Sequence, residues 1–380
     1  MSDLTHLART PLTALNAELG GKMVEFAGYE MPVQFPEGVM KEHLHTRAKA
    51  GLFDVGHMGQ AILRAKSGRV EDAARALERL VPVDALGLKP GRQRYGLFTD
   101  AKGGILDDFM FAHRGDHLFL VVNAACKVQD IAHLRQHLSV DCEIEDLTDR
   151  ALIALQGPAA ERALAKLAPE VAAMAFMDMR DVTIVGATCI VSRSGYTGED
   201  GYEISVPAGK AEDLARALLA DPDVHPIGLG ARDSLRLEAG LCLYGADIDV
   251  TTTPVAAALE WAVQKVRRTG GARAGGFPGA EAILPEFERG ASRRRVGLAP
   301  EGRAPVRAGA VLYADAASSA PVGTVTSGGF GPSVERPVAM GYVEARFAKP
   351  GTPLFAEVRG KLLPINVSSL PFITPRYKRA

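Results

Sequence analysis

The pattern of apolar and polar residues along the first part of the chain predicts helices and strands in alternating order. Apolar residues three and four positions apart indicate amphipathic helices, whereas short apolar runs bounded by turn residues indicate strands. The predicted helices cover residues 12–19, 68–81, 126–139, 159–168 and 210–219. The predicted strands cover residues 94–99, 105–112, 117–122, 151–156, 182–192 and 201–206. This order favours an α+β fold with antiparallel sheets flanked by helices.

After about residue 285 the pattern changes to short, β-rich segments separated by glycine and proline. These segments are 294–299, 309–313, 320–326, 337–343, 353–359 and 362–368. Such spacing is typical of a small all-β barrel or sandwich. A glycine-rich stretch at 270–279 precedes the change, and a chain of 380 residues is long enough for two or three domains.

Composition narrows the function classes. The chain is 47% apolar and 23% charged, which fits a soluble globular protein. Its 44 basic and 45 acidic residues balance, which argues against a nucleic-acid-binding protein. Without an 18-residue apolar run or a signal-peptide pattern, we expect no membrane association and a cytoplasmic location. We also expect reduced cysteines and no metal site, because none of the four forms a Cys-x-x-Cys pair: Cys126, Cys142, Cys189 and Cys242.

The segment Gly103–Met110 carries two adjacent carboxylates, Asp107 and Asp108, at the start of an apolar strand. Successive side chains of a strand point to opposite faces, so each acid is expected to share a face with apolar neighbours. An ionised carboxylate is costly to bury alone, so at least one of the pair is expected to have a partner or a chemical role. The alternative is that these acids only close the turn at the two glycines before the strand.

Two further segments could form a ligand site. Ser194–Glu203 has three glycines at intervals of three residues, and we expect a tight, exposed turn that presents Tyr196 and Glu203. The alternative is a hairpin with a polar rim. Residues 228–241 lack the third glycine of a dinucleotide fingerprint. As a helix, this segment would place Arg232 and Arg236 on one face, suited either to gripping a carboxylate or to a helix salt bridge with Asp233.

Other polar or aromatic residues have simpler interpretations. His133 and His137 are expected on a solvated helix face, because the glutamate of a zinc-binding His-Glu-x-x-His motif is missing. Trp261 is expected in the core, with a stacking platform as the alternative. The run 293–295 of three arginines is expected at the solvated edge of the first barrel strand, with a docking patch for an acidic partner as the alternative.

Seven motifs in order resemble the T protein, the aminomethyltransferase family of the glycine cleavage system. They are Lys22–Gly28, Gly51–Met58, Gly103–Asp108, Leu155–Pro158, Gly195–Glu203, Gly230–Gly240 and the pair Thr324–Gly328 with Pro371-Phe372. The resemblance runs from end to end of the chain. Two positions depart from the family pattern, because Gly56 replaces the usual serine and Tyr29 a common tryptophan.

The resemblance implies three domains in a clover-leaf arrangement around a central cavity that holds tetrahydrofolate. The first α+β domain would combine residues 1–55 with 143–240, the second 56–142 with 241–285, and the β-barrel domain would be 286–380. The implied reaction transfers the methylene of an aminomethyl group, carried on the lipoyl arm of the H protein, to tetrahydrofolate. Its products would be 5,10-methylenetetrahydrofolate, ammonia and a dihydrolipoyl arm.

The same resemblance implies roles for individual residues. Asp108 would be the catalytic carboxylate beside the reactive nitrogens of the folate, where it orients the ligand, stabilises developing positive charge and relays a proton. The other family positions, all assigned to folate binding, correspond to Met58, Tyr95, Val121, Asn123, Tyr196, Glu203, Arg232 and Tyr377.

Two alternatives share the fold implied by the resemblance. One is a non-enzymatic folate-binding protein of iron–sulfur assembly, but its Lys-Gly-Cys-Tyr-x-Gly-Gln-Glu signature is absent around Cys242. The other is a folate-dependent demethylase. The related flavin-dependent dehydrogenases would need an additional domain for which the chain has no room.

Overall fold

The structure is a computed structural model that describes residues 6–379. The elements that precede the barrel are, in chain order, α1 Thr13–Glu18, β1 Lys22–Phe26, β2 Tyr29–Gln34, α2 Val39–Ala48, β3 Ala50–Asp54, β4 Gly59–Ala65, α3 Val70–Leu77, β5 Gln93–Thr99, β6 Ile105–His113, β7 Leu118–Val122, α4 Lys127–Leu138, β8 Cys142–Asp146, β9 Arg150–Gln156, α5 Ala160–Ala165, β10 Met179–Ile184, β11 Ala187–Ser192, β12 Gly201–Pro207, α6 Ala211–Leu219, β13 Val224–Ile227, α7 Leu229–Glu238 and α8 Ala280–Arg289. The barrel strands follow as β14 Arg293–Pro300, β15 Val311–Tyr313, β16 Pro321–Gly331, β17 Arg336–Glu344, β18 Pro353–Val358 and β19 Lys361–Ser368.

The first large sheet has six strands in the order β10-β11-β12-β9-β3-β13. All neighbours are antiparallel except β13 and β3, which are parallel. The run expected as one strand over 182–192 is a hairpin, because Val185 and Gly186 adopt φ angles of 46° and 72° and turn the chain back. Helices α1, α5 and α6 contribute buried apolar residues to the core of this sheet.

The second sheet has five antiparallel strands in the order β5-β6-β7-β4-β8. Its central strand β6 alternates as expected. Asp107 is buried on the same face as Phe109 and Phe111, and Asp108 lies on the opposite, less buried face with Met110. Helices α3 and α4 share a core with this sheet. A separate hairpin of β1 and β2 completes the N-terminal part.

The C-terminal strands close into a six-stranded barrel in the order β14-β17-β16-β15-β18-β19, so the barrel rather than the sandwich is correct. The expected solvated edge is wrong for the last arginine of the run, while Arg293 and Arg294 are half-buried. Arg295 is buried and donates hydrogen bonds to the carbonyl oxygens of Ala257 and Gly240, at 2.8 and 3.0 Å. Arg294 pairs with Glu260. These contacts join the barrel to the chain that precedes it.

The expected α+β class with a C-terminal barrel is confirmed. Apart from the 182–192 run, which is a hairpin, the helices and strands named from the sequence are present with shifts at their ends. Sequence patterning missed the β1–β2 hairpin, α2, β3, β4, β8, β13 and α8. The division into three domains stays a prediction. Strand β8 pairs with β4, so the second sheet continues past the expected bound at residue 142. Within residues 6–379, no helix combines the length and apolar character needed to cross a membrane.

Removal of the Arg295 side chain should weaken the attachment of the barrel. Arg295→Ala leaves two buried carbonyl oxygens without their donor, and we expect the free energy of unfolding to fall by about 2–4 kcal/mol. Urea unfolding followed by circular dichroism measures this loss. Arg303→Ala, at an exposed position of the same barrel, is the matched control. Equal stability of the two variants would contradict a joining role for Arg295.

Candidate active site

The site is organised around the Asp108 carboxyl group on β6. The phenol of Tyr95, on the neighbouring strand β5, donates a hydrogen bond to Asp108 Oδ2 at 3.0 Å. The amide of Asn123, directly after β7, lies 2.9 Å from Asp108 Oδ1 and 2.9 Å from its carbonyl oxygen. Burial and the charge of Asp107 raise the pKa of Asp108 to about 7. Asp108 can therefore change its protonation state at neutral pH.

The adjacent Asp107 points into the core behind the site. Its Oδ1 accepts a hydrogen bond at 2.9 Å from the same Asn123 amide that contacts Asp108. The turn before the strand is closed by Asp100, whose Oδ1 accepts hydrogen bonds from the backbone of Lys102 and Gly104. The alternative in which the acid pair only closes that turn is therefore wrong.

The opposite side of the site carries Tyr196, Glu203 and Arg232. The Arg232 guanidinium, on α7, lies 4.8 Å from the centre of the Tyr196 ring, within the range of a cation–π contact. Burial raises the pKa of Glu203, and the nearby Arg232 partly opposes this rise. Desolvation lowers the pKa of Arg232, while Glu203 opposes that shift. An arginine remains protonated under these conditions, so the two groups can offer opposite charges to one ligand.

Five of these side chains are part-buried yet strongly desolvated: Tyr95, Asp108, Tyr196, Glu203 and Arg232. Each keeps accessible surface, while the surrounding protein shifts the pKa of each toward the neutral form. Groups at the outer surface would be solvated, and groups in a packed core would have no accessible area. The combination indicates side chains that line an interior cavity.

The segment that presents Tyr196 is buried, and the expected exposed turn is wrong. Gln156 donates from Nε2 to the Ser194 carbonyl oxygen at 2.9 Å and accepts at Oε1 from Thr197 at 2.9 Å. A Cβ atom on Gly195 would lie 1.8 Å from Gln156 Oε1, so this close approach requires glycine. The loop thereby holds the Tyr196 phenol where it donates to the Cys242 carbonyl oxygen.

The remaining candidates fall into two places. Met58 and Val121 both pack against the small core that contains Phe53 and Leu235, next to α7. The ring of Tyr377 stacks on that of Phe176, with centroids 4.1 Å apart. The described structure thus brings Asp108, Tyr95 and Asn123 into direct contact, and Tyr196 with Arg232. It gives Tyr377 a position on the C-terminal tail.

Sequence reasoning missed or misplaced some residues near the site. Trp261 is 61% exposed and its ring lies 5.2 Å from that of Tyr95, so the expected core position is wrong. A lone tryptophan gave no positional signal. His57 is buried beside the site with a pKa lowered to about 3 by burial, Arg232 and Lys127, and is therefore neutral.

The structure also shows the surroundings of Arg236, His133 and His137. Arg236 forms a salt bridge with Asp233 at 2.8 Å and a buried one with Asp247 at 2.7 Å. The helix salt bridge is therefore correct for Arg236. Arg232 does not share that arrangement. His137 is exposed, but His133 is half-buried against Phe98, so the solvated-face interpretation holds only for the former. Among residues 6–379, no group of three or more His, Cys, Asp or Glu is placed to hold a metal ion.

Comparison with known families identifies the fold. Residues 12–267 match the model of the GCVT N-terminal domain, and residues 293–373 match the glycine cleavage T-protein C-terminal barrel domain. The chain belongs to the glycine cleavage T-protein family. The second match coincides with the closed barrel, and the first covers both large sheets and the residues around Asp108.

Relatives of this T-protein family cover nearly the whole chain. Aminomethyltransferase, mitochondrial, of Dictyostelium discoideum is 43% identical over 100% of this chain and 95% of its own length. The protein of the same name from Gallus gallus is 44% identical over 98% of this chain and 94% of its own length. The crystal structure of glycine cleavage system aminomethyltransferase T from Bartonella henselae matches with a TM-score of 0.89 and 45% identity. That match covers 98% of this chain and 100% of the other.

Replacement of Asp108 by asparagine should stabilise the protein in a pH-dependent way. The pKa of Asp108 is about 7 in the folded protein and near 3.8 when unperturbed, so ionisation of this group destabilises the fold as pH rises from about 4 to 7. We expect Asp108→Asn to be more stable than the wild type by roughly 1–3 kcal/mol at pH 8, and indistinguishable at pH 3.5. Thermal unfolding at a series of pH values measures the difference.

The matched control is Asp116→Asn, an exposed aspartate whose pKa is lowered to about 2 by hydrogen bonds from His117 and Arg64. This substitution should not stabilise the protein at any of these pH values. A stability gain of Asp108→Asn that does not grow with pH would show that the carboxyl group is not desolvated.

Proposed function

We propose that this chain is the aminomethyltransferase of a glycine cleavage system, with tetrahydrofolate as acceptor and the aminomethyl-loaded lipoyl arm of the H protein as donor. In the overall transfer the methylene carbon forms bonds to two folate nitrogens, its bond to nitrogen breaks to release ammonia, and its bond to sulfur breaks to leave a dihydrolipoyl thiol. The carbon keeps its oxidation state, so no electron donor or acceptor is required.

The observation that carries this proposal is the Asp108 carboxyl group, which lines an interior cavity and has no cation as a direct partner among the described residues. A reduced folate supplies the nucleophilic amine, and positive charge develops at nitrogen as the methylene carbon is transferred. An ionised carboxylate in a desolvated setting stabilises that charge more strongly than it could in water. Tyr95 and Asn123 hold the carboxyl group in place, so little reorganisation is needed during the reaction.

The residues across from Asp108 suit the recognition of a flat heteroaromatic ligand. Glu203 can accept hydrogen bonds from N–H groups of a pterin, and Arg232 can donate to its oxygen or to a carboxylate. The rings of Tyr95, Tyr196 and Trp261 offer aromatic surface, and Met58 with Val121 offers apolar surface. Tyr377 would contact the distal part of the folate only if the ligand extends toward Phe176, where the tail is docked.

The direct test is a transfer assay with purified components. The protein is mixed with tetrahydrofolate and lipoylated H protein loaded with the aminomethyl group, and ammonia release is followed. Unloaded H protein is the matched control. Transfer of an intact methyl group to tetrahydrofolate from small methylated donors, without H protein, would instead identify a demethylase. Folate binding without turnover on either donor would favour the non-catalytic alternative.

Asp108→Asn separates binding from catalysis. The amide keeps the size of the side chain and its contacts with Tyr95 and Asn123, but it cannot carry the negative charge that opposes positive charge on the ligand. We expect folate affinity within about threefold of the wild type and a fall in kcat of roughly 10²–10⁴-fold. Calorimetric titration and the ammonia assay measure the two quantities. Turnover near that of the wild type would refute the role of Asp108.

Arg232→Ala is expected to impair folate binding more than turnover, the opposite of Asp108→Asn. Loss of the guanidinium removes a charged donor from the ligand side of the site, and folate affinity should fall by about 10–100-fold with a smaller effect on kcat. Arg135→Ala, at an exposed position of α4, is the matched control and should bind folate normally. Unchanged folate affinity of Arg232→Ala would exclude this arginine from the binding site.

A further inference from the structure

A third carboxyl group, Asp130, lies behind the pair on β6. It is in the first turn of α4, is 1% exposed, and is within hydrogen-bonding distance of Asp107. One of its oxygens, Oδ2, is buried and has no hydrogen-bond donor among the residues that the structure describes. Two ionised carboxylates in contact at such a buried position would repel each other strongly. A proton must therefore be shared between Asp107 and Asp130.

The hydrogen-bond partners decide which of the two keeps the proton. Asp107 accepts from the side-chain amide of Asn123 at 2.9 Å and more weakly from its backbone N–H at 3.4 Å. Within the described chain, no donor contacts Oδ2 of Asp130. A carboxyl group that accepts several hydrogen bonds favours the ionised form, so the negative charge resides on Asp107 and the proton on Asp130.

We propose that Asp130 is a positioning residue that acts through Asp107: as a neutral acid it donates a hydrogen bond to Asp107, which is linked to Asp108 by the shared Asn123 amide. The inference rests on the proposed role of Asp108 in transfer. In this arrangement one negative charge is held directly behind the catalytic carboxyl group. The charge on Asp107 in turn raises the pKa of Asp108.

The other ionisable groups around this cluster leave the negative charges unneutralised. Tyr95 on β5, Cys126 before α4, and Cys242 and Tyr244 in the loop after α7 are all neutral, because burial raises the pKa of each. Tyr196 is also neutral, since burial raises its pKa. The cations of this region are Arg232, Arg236 and Arg295, and each has the closer partners described above. Asp107 is thus the dominant charge acting on Asp108.

A spectroscopic test does not depend on the reaction. In the folded protein at pH 8, the infrared difference spectrum between wild type and Asp130→Asn should show loss of one carbonyl band of a protonated carboxylic acid. The Asp116→Asn difference spectrum, from an exposed and ionised aspartate, should lack that band. An ionised-carboxylate band lost in Asp130→Asn would overturn the assignment of the proton, whatever the substrate of the protein proves to be.

A kinetic test uses the acidic limb of the pH–kcat profile in the ammonia assay. Asp130→Asn keeps a neutral donor of the same size. We therefore expect its kcat within about twofold of the wild type and its acidic limb at the same pH. Asp107→Asn removes the neighbouring charge and should move the limb at least half a pH unit lower. Asp130→Leu removes the donor, so Asp107 binds a proton more readily and the limb should also move to lower pH, with a fall in kcat of about tenfold or more.

The outcomes separate the possible failures. A limb shift in Asp130→Asn as large as that in Asp107→Asn would show that Asp130 is ionised in the wild type and would overturn the proposal. Loss of stability in Asp130→Leu with an unshifted limb would assign Asp130 a purely structural role and would also overturn it. If neither the wild type nor any variant transfers the methylene, the proposed function fails. The infrared result still decides whether Asp130 carries the proton.

Discussion

A single constraint governs the site: two adjacent carboxyl groups on β6 must both lie away from bulk water without a cation beside them. Strand geometry sends Asp107 into the core between the sheet and α4, and Asp108 to the cavity. The Asn123 amide, which lies between the two, contacts both carboxyl groups. Since each unpaired charge is costly to bury, the placement of Asn123 directly after β7 is what allows the acid pair to exist.

The far side of the cavity is held by a second buried polar network. Arg47, on α2, donates to the Thr197 carbonyl oxygen at 2.6 Å and pairs with Glu199 at 3.0 Å and Glu238 at 3.1 Å. These contacts tie the loop that carries Tyr196 to the end of α7, the helix that carries Arg232. Truncation of either partner in such a network leaves a buried charge uncompensated. The relative position of Tyr196 and Arg232 is therefore fixed by the buried contacts of Arg47.

Much of this arrangement was accessible from the sequence, for identifiable reasons. Strict alternation in β6 predicted the faces of Asp107 and Asp108, and glycine and proline between short apolar runs predicted the barrel. Helix α2 was missed because His43 and Arg47 are buried polar residues that interrupt the apolar period. Likewise, Asp130 looked like an ordinary acid in the first turn of a helix, and only tertiary packing reveals that it contacts Asp107.

The sequence placed Trp261 in the core and Arg295 at a solvated edge, and the structure shows the reverse for both residues. The physical reason is related. Side-chain chemistry alone favours a buried tryptophan and a solvated arginine. Arg295, however, satisfies backbone carbonyl groups where the barrel meets the preceding chain, and Trp261 lies beside Tyr95 with most of its surface free. An exposed aromatic ring and an arginine buried on carbonyl oxygens are both poor choices for stability alone. The first lies beside Tyr95 of the candidate site, and the second joins the barrel to the chain that precedes it.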